Sequence, residues 1–139
     1  SGSSASCAMN GVDTNILLRY IVEDDPEQAD RVERFLARSR VLGERAYVSV
    51  IVLCETAWVV ASNYGKSKSE ILDAIGNLLD PDVFLLEHDD SVRAALRLSR
   101  AGRGDFADYL IGQLNLDRGC RTTVTFDRGL RGAAGFTLL

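Results

Sequence analysis

The feature of this sequence that most constrains its fold is the alternation of short apolar runs with longer amphipathic segments. The apolar runs end near Val12, Val48, Leu86 and Phe126, and segments with helical spacing of apolar residues separate them. Such alternation is typical of βαβ units, in which helices cover a sheet of parallel strands. We therefore predict an α/β fold with three α/β/α layers and a central, mainly parallel sheet of about four to five strands.

Local signals predict where several helices begin and end. Asp25-Pro26 indicates a helix start, since proline is favoured at the first helical position. Ser67 and Glu70 have the spacing of a capping box. Asp89 or Asp90 is expected to cap a helix that ends near Gly102.

The length indicates the number of domains, and the cysteines indicate the cellular compartment. The chain has 139 residues, which suits one globular domain. We interpret residues 1–8, which are small and uncharged, as an expression-tag remnant, and residues 9–139 as the folded domain. No apolar stretch approaches the length of about 20 residues that crosses a bilayer. Without a CxxC pair or an export signal, the remaining Cys54 and Cys120 favour a reducing cytoplasm.

The charge is acidic overall but unevenly spread. The net charge of -4 argues against a protein that holds nucleic acid by bulk electrostatics. However, the stretch from Arg93 to Arg131 carries eight arginines against four acids. These arginines are either solvated helix faces or a basic rim beside an acidic centre. On the second interpretation, Arg103, Arg128 and Arg131 are candidate phosphate contacts.

Carboxylates recur at positions that a parallel sheet would bring together. Asp13 directly follows the first predicted strand and Asp127 the fourth, so both should emerge at the same edge. Glu55 is the only charge in an apolar helical segment, where an unpaired acid is costly. Asp105 and Asp108 lie three residues apart at a predicted helix start, on one face.

Each acid also has an ordinary interpretation. Asp13 and Asp105 suit helix caps, Asp127 suits a turn, Asp108 suits the first turn of a helix, and Glu55 suits a buried ion pair. Taken together they favour a shared cation, because clustered carboxylates repel one another. Oxygen ligands suit Mg²⁺ or Mn²⁺, and carboxylate-held ions of this kind suit phosphodiester hydrolysis. The neutral groups nearby that would orient a ligand or a water are Thr14, Asn15 and Thr125.

The motifs Val12-Asp13-Thr14-Asn15, Cys54-Glu55, Asp105-Phe-Ala-Asp108-Tyr-Leu-Ile and Thr125-Phe-Asp127 resemble those of PIN domains, in particular of VapC-type toxins. The resemblance extends from Met9 to Leu139. It implies an endoribonuclease that uses one or two Mg²⁺ or Mn²⁺ ions and forms the toxin of a type II toxin–antitoxin pair. The implied catalytic and metal-binding quartet is Asp13, Glu55, Asp108 and Asp127, with Asp105 in an auxiliary role.

The resemblance also implies partners: an RNA substrate, a VapB-like antitoxin that covers the acidic site, and a second copy of the chain in a homodimer. No membrane partner is expected. Helices near residues 25–39 and 49–64 would form the antitoxin groove. Phe35, Leu36, Trp58 and Tyr64 are then either antitoxin contacts or ordinary core residues.

Two other functions remain open at this stage. An acidic-pocket phosphatase or phosphotransfer domain also places an aspartate after its first strand. However, Asp13 is not followed by a second aspartate two residues on, and the only lysines are Lys66 and Lys68. A catalytically silent binding module is the other alternative.

Overall fold

The computed structural model describes residues 8–22 and 24–139, so most of the predicted tag segment lies outside the described residues. The strands are β1 (Met9–Gly11), β2 (Arg45–Val48), β3 (Phe84–Leu86), β4 (Thr123–Thr125) and β5 (Phe136–Leu138). The α-helices are α1 (Thr14–Ile21), α2 (Pro26–Val41), α3 (Val50–Asn63), α4 (Lys68–Gly76), α5 (Asp89–Ala101) and α6 (Phe106–Arg118), and a short 3₁₀ helix spans Arg128–Leu130.

The strands pair in parallel, which confirms the α/β prediction. β2 lies between β1 and β3, with Ala46 opposite Asn10 on one side and Phe84 on the other. β4 pairs with β5, with Val124 opposite Thr137. Within residues 8–22 and 24–139 the strands thus form a three-stranded and a two-stranded sheet, where one sheet of four to five strands was predicted. Strands of three or four residues form few ladder hydrogen bonds, so side-chain packing must align the two sheets.

The core lies between the three-stranded sheet and the helices. Alternate residues of β2, Ala46 and Val48, are buried, as expected for a strand whose side chains point to opposite faces. Leu36 of α2 is buried in this core and is only 8% exposed. Of its two interpretations, the core residue is therefore the correct one, and the antitoxin contact is excluded. The fully buried residues that join the helices to the sheet are Leu17, Leu53, Ile75, Leu78, Val92 and Leu110.

Two of the predicted helix starts are confirmed. Asp25 caps α2 by accepting a hydrogen bond from the Gln28 amide at 3.1 Å, with Pro26 at the first position. Ser67 and Glu70 form the predicted capping box at the start of α4. Together these bonds satisfy backbone donors that would otherwise lack a partner within the helix.

The predicted start of α5 is wrong by one residue. His88, and neither Asp89 nor Asp90, holds the capping position, with a left-handed backbone at φ 52° and ψ 49°. The two aspartates lie within the first helical turn, where a negative charge is favourable beside the helix dipole. Asp89 also pairs with Arg93 at 3.0 Å.

Close contacts at two glycines bring α6 against β5 and the 3₁₀ helix. A β-carbon on Gly112 would lie 2.6 Å from Cζ of Phe136. A β-carbon on Gly104, just before α6, would lie 2.6 Å from Cδ2 of Leu130. Both distances are shorter than any ordinary carbon–carbon contact of about 3.5–4.0 Å. The helix that carries Asp108 therefore packs directly against the segment that follows β4.

None of the helices in the described ranges is long and apolar enough to cross a membrane.

Candidate active site

Asp13 lies at the end of β1 and caps α1. Its Oδ1 accepts a hydrogen bond from the Ile16 amide at 3.1 Å, so the helix-cap interpretation is correct for this residue. The cap fixes one carboxylate oxygen and leaves the side chain exposed. Capping and ligand binding are compatible, because a carboxylate has two oxygens and about four lone-pair directions.

Glu55 lies on the neighbouring helix α3 and contacts the start of α1. The Thr14 hydroxyl donates a hydrogen bond to Oε1 of Glu55, which links the start of α1 to the middle of α3. Glu55 is exposed rather than buried. The sequence argument about the cost of burying a lone acid therefore does not apply, since the apolar helix α3 leaves this face open to solvent. The hydrogen bond from Thr14 holds one oxygen of this carboxylate.

Asp13 and Glu55 line one cleft of about 460 Å³ between α1 and α3, which we call the acidic cleft. Asn15 lies at its rim. Arg19 and Tyr64 also line it, and sequence reasoning did not single them out for this site. For Arg19 a signal existed, because it lies four residues after Asn15 and therefore on the same face of α1.

A polar cluster closes one side of the acidic cleft. The Tyr64 hydroxyl donates to Oδ2 of Asp24 at 2.8 Å, and the Arg19 guanidinium pairs with the same carboxylate. The hydrogen bond from Tyr64 and the nearby positive charge of Arg19 lower the pKa of Asp24 below its ordinary value. The cluster orients Arg19 within the cleft that holds Asp13 and Glu55.

Asp105 and Asp108 lie at the start of α6. Asp105 occupies the capping position, and Oδ2 of Asp108 accepts a hydrogen bond from the Asp105 amide at 3.0 Å. Asp108 is half-buried. Asp105 lines a different groove, together with Cys54 and Trp58, and does not line the acidic cleft. This placement supports a structural role for Asp105 at the helix start.

Asp127 follows β4 and shapes the turn into the 3₁₀ helix, as its turn interpretation requires. Oδ1 of Asp127 accepts from the Gly129 amide at 2.8 Å, and the Asp127 amide donates to Oγ1 of Thr125 at 3.0 Å. Leu130, at the end of this turn, packs against Gly104. The turn that carries Asp127 therefore lies beside the loop that leads into α6 and Asp108.

The carboxylate oxygens of the predicted quartet are the kind of ligand that suits a hard divalent cation. All four acids of the predicted quartet offer oxygen ligands, and each has one oxygen held by a hydrogen bond. In geometry, the structure places Asp13 and Glu55 in the acidic cleft, whereas Asp108 and Asp127 do not line it. Across residues 8–22 and 24–139, no three His, Cys, Asp or Glu side chains lie close enough to hold a metal ion. Four ionised carboxylates repel one another, and a bound cation would offset this repulsion if they came closer together.

The predicted phosphate contacts lie elsewhere on the surface. Arg103, Arg128 and Arg131 are all exposed, and none of them lines the acidic cleft. Arg103 lies near the Asp127 turn, since its β-carbon is 4.0 Å from where a β-carbon on Gly129 would be. These arginines thus belong to the region of Asp127 rather than to the cleft that Asp13 and Glu55 line.

Comparison with known proteins identifies the class. The model of the PIN domain family matches residues 12–135, so the chain belongs to that family. Within the family it is similar to the VapC ribonuclease of Aquifex aeolicus (strain VF5), with 24% identity over 120 residues. The alignment covers 86% of this chain and 88% of that protein. Residues 12–135, which the PIN domain model matches, contain all four acids of the predicted quartet.

Proposed function

We propose that this protein is a divalent-metal-dependent endoribonuclease and the toxin of a type II toxin–antitoxin pair. PIN family membership and the similarity to a VapC ribonuclease support a VapC-like nuclease. The observation that carries the proposal is the acidic cleft between two packed helices, which Asp13 and Glu55 both line, with Thr14 bonded to Glu55. A phosphodiester that enters this cleft meets exposed carboxylates that no arginine neutralises through a direct ion pair among the described residues.

The proposed roles follow from the contacts of each residue. Asp13, Glu55, Asp108 and Asp127 would supply the oxygen ligands of one or two Mg²⁺ or Mn²⁺ ions. When bound, such an ion lowers the pKa of a water and stabilises charge on the phosphate. Thr14 holds Glu55, and Thr125 holds the backbone of Asp127.

Neighbouring polar residues would complete the site without binding the ion directly. Asn15 at the cleft rim is placed to orient a water or a phosphate oxygen. Asp105 supports Asp108 through its backbone amide, which donates to that carboxylate. We assign Asp105 a positioning role on this ground.

The test is cleavage of total RNA by the purified protein with Mg²⁺, with Mn²⁺ and with a chelator. Asp13→Asn removes a charged ligand but keeps an oxygen that can cap α1, so we expect a stable protein with cleavage reduced at least about 100-fold. Asp82→Asn is the matched control, since Asp82 is exposed and lies at the opposite end of β3 from the strand's carboxyl edge. It should cleave at the wild-type rate.

Two results would overturn the proposal. One is cleavage by Asp13→Asn at the rate of the Asp82→Asn control. The other is cleavage that is equally fast with and without the chelator. A phosphoryl group trapped on Asp13 would instead favour the phosphotransfer alternative.

We also propose a VapB-like antitoxin, a homodimer and a cytoplasmic location. The outer face of α3 supports a protein partner, because Ile51 and Trp58 there are 77% and 66% exposed. The thiols of Cys54 and Cys120 are free, which suits a reducing compartment. Trp58→Ser should weaken self-association in sedimentation, or antitoxin co-purification, while leaving RNA cleavage intact. Unchanged behaviour in both assays would exclude this face.

A further inference from the structure

A second cleft opens beside the acidic cleft, between α1 and α2. It has a volume of about 480 Å³, and Asp13 and Asn15 are among the residues that line it. These two residues and Arg19 line both clefts, so the two spaces meet at Asp13. We call this second space the arginine cleft, because its lining also includes Arg31 and Arg38.

The arginine cleft has the opposite charge to the chain as a whole. Its lining contains three arginines and one aspartate, in a protein whose net charge is -4. Arg31, Arg34, Phe35 and Arg38 have helical spacing and lie on one face of α2, where they line an adjoining hollow of about 390 Å³. Arg34 pairs with Asp30 at 3.1 Å. The ion pairs between described residues involve neither Arg31 nor Arg38.

We propose that the arginine cleft binds single-stranded RNA and leads it to Asp13, with phosphates on Arg31 and Arg38 and a base against Phe35. This inference rests on the proposed ribonuclease function. Arg31 and Arg38 are two helical turns apart, about 10 Å along the axis, which spans about three stacked nucleotide steps. The Phe35 ring lies between them and is half-buried, so its accessible side offers a stacking surface.

The connection to Asp13 favours RNA over an acidic protein segment. A strand cut at Asp13 must extend beyond the acidic cleft, and the arginine cleft is the positively lined space that shares Asp13 with it. An exposed row of arginines interleaved with an aromatic ring is typical of sequence-tolerant binding of single strands. Arg103, Arg128 and Arg131, which the sequence suggested as phosphate contacts, line neither cleft. The proposal therefore places the phosphate contacts on Arg31 and Arg38 instead.

The experiment measures binding of a fluorescent single-stranded oligoribonucleotide by anisotropy, in chelator, so that cleavage does not contribute. The probe variant is Arg31→Gln/Arg38→Gln. The matched control is Arg97→Gln/Arg121→Gln, which removes the same charge from exposed positions outside both clefts. Thermal unfolding of each variant checks that the fold is intact.

We expect the probe variant to bind RNA at least about tenfold more weakly than the control. The slope of log affinity against log salt should fall by about 1.4, since each phosphate contact to a single strand contributes about 0.7. Phe35→Leu should weaken binding without changing this slope, because stacking releases no counterions. The probe variant should also cleave RNA more slowly at subsaturating substrate.

The outcomes separate this proposal from the function on which it rests. If the protein cleaves RNA and the probe and control variants bind it equally, the arginine cleft is excluded while the ribonuclease stands. If the protein binds RNA through Arg31 and Arg38 but never cleaves it, the proposed ribonuclease function is wrong, whereas the proposed RNA binding in the arginine cleft is supported. Arginine-dependent binding of a polyglutamate peptide, without arginine-dependent binding of RNA, would overturn the RNA assignment in favour of an acidic protein partner.

Discussion

Gly112 offers a direct test of how α6 is held, because two opposing effects act at one position. Gly112 lies inside α6 and is buried against the ring of Phe136 on β5. Replacing it with alanine raises helix propensity, which stabilises a helix interior by about 1 kcal/mol. The same change places a β-carbon 2.6 Å from Cζ and 2.9 Å from Cε2 of Phe136.

The contact with the ring should prevail. Forcing an extra carbon into a packed site costs about 1–3 kcal/mol. The Phe136 ring packs edge-on against Tyr109 with the ring centres 6.1 Å apart, so moving it away from residue 112 would disturb this contact. We therefore expect Gly112→Ala to lower the free energy of unfolding by about 1 kcal/mol net, after the gain in propensity is subtracted.

Urea denaturation of four variants provides the measurement: Gly112→Ala, Phe136→Leu, their combination and a control. Gly76→Ala is the matched control, since Gly76 is also a helical glycine, at the last residue of α4, but a β-carbon there meets its nearest neighbours at 3.9 Å, an ordinary contact. It should be as stable as wild type or more so. Combining Gly112→Ala with Phe136→Leu should recover part of the loss, with a coupling energy of about 0.5–3 kcal/mol.

The steric reasoning is refuted by either of two results. The first is a Gly112→Ala protein as stable as the Gly76→Ala control. The second is strict additivity of Gly112→Ala and Phe136→Leu, which would show that the two side chains do not compete for space.

Two further predictions concern polar groups that are not among the proposed metal ligands. The Ser99 hydroxyl is fully buried and has no hydrogen-bond partner among the described residues, whereas the Ser91 hydroxyl on the same helix donates to Asp117. Ser99→Ala should leave stability unchanged or raise it, and Ser91→Ala should cost about 1 kcal/mol in urea denaturation; equal losses would contradict this. Because the pKa of Asp24 is lowered in the folded state, its stabilising effect is present above the unfolded carboxyl pKa of about 3.9 and is lost as the pH falls through the folded value. The stability difference between wild type and Asp24→Asn should therefore shrink between pH 5 and pH 2, and a constant difference would refute the shift.

Much of the fold could be predicted because local signals agree with it. The capping box at Ser67 and the proline at the start of α2 act within a few residues, so the sequence displays them directly. The parallel arrangement followed from the alternation of strands and helices. The start of α5 was misplaced because His88 adopts a left-handed backbone, which no local rule for Asp89 or Asp90 anticipates.

The sequence predicted where several candidate site residues lie in the strands and helices, but not which of them the fold groups together. The positions of Asp13 and Asp127 after their strands follow from sequence, since the end of a strand is a local event. The role of Glu55 was inferred from a supposed burial that the structure does not show. Arg31 and Arg38 were not predicted as phosphate contacts, because they lie outside the arginine-rich stretch from Arg93 to Arg131.

The sequence by itself therefore determined the order of the elements, the helix caps and the types of residue available for chemistry. Only the tertiary structure decided which of them meet: Thr14 with Glu55, Gly112 with Phe136, and the arginines of α2 with the end of β1. The reason is physical. Caps and turns depend on bonds within one or two helical turns, whereas a cleft between helices depends on how distant segments pack and on the space that their side chains leave open.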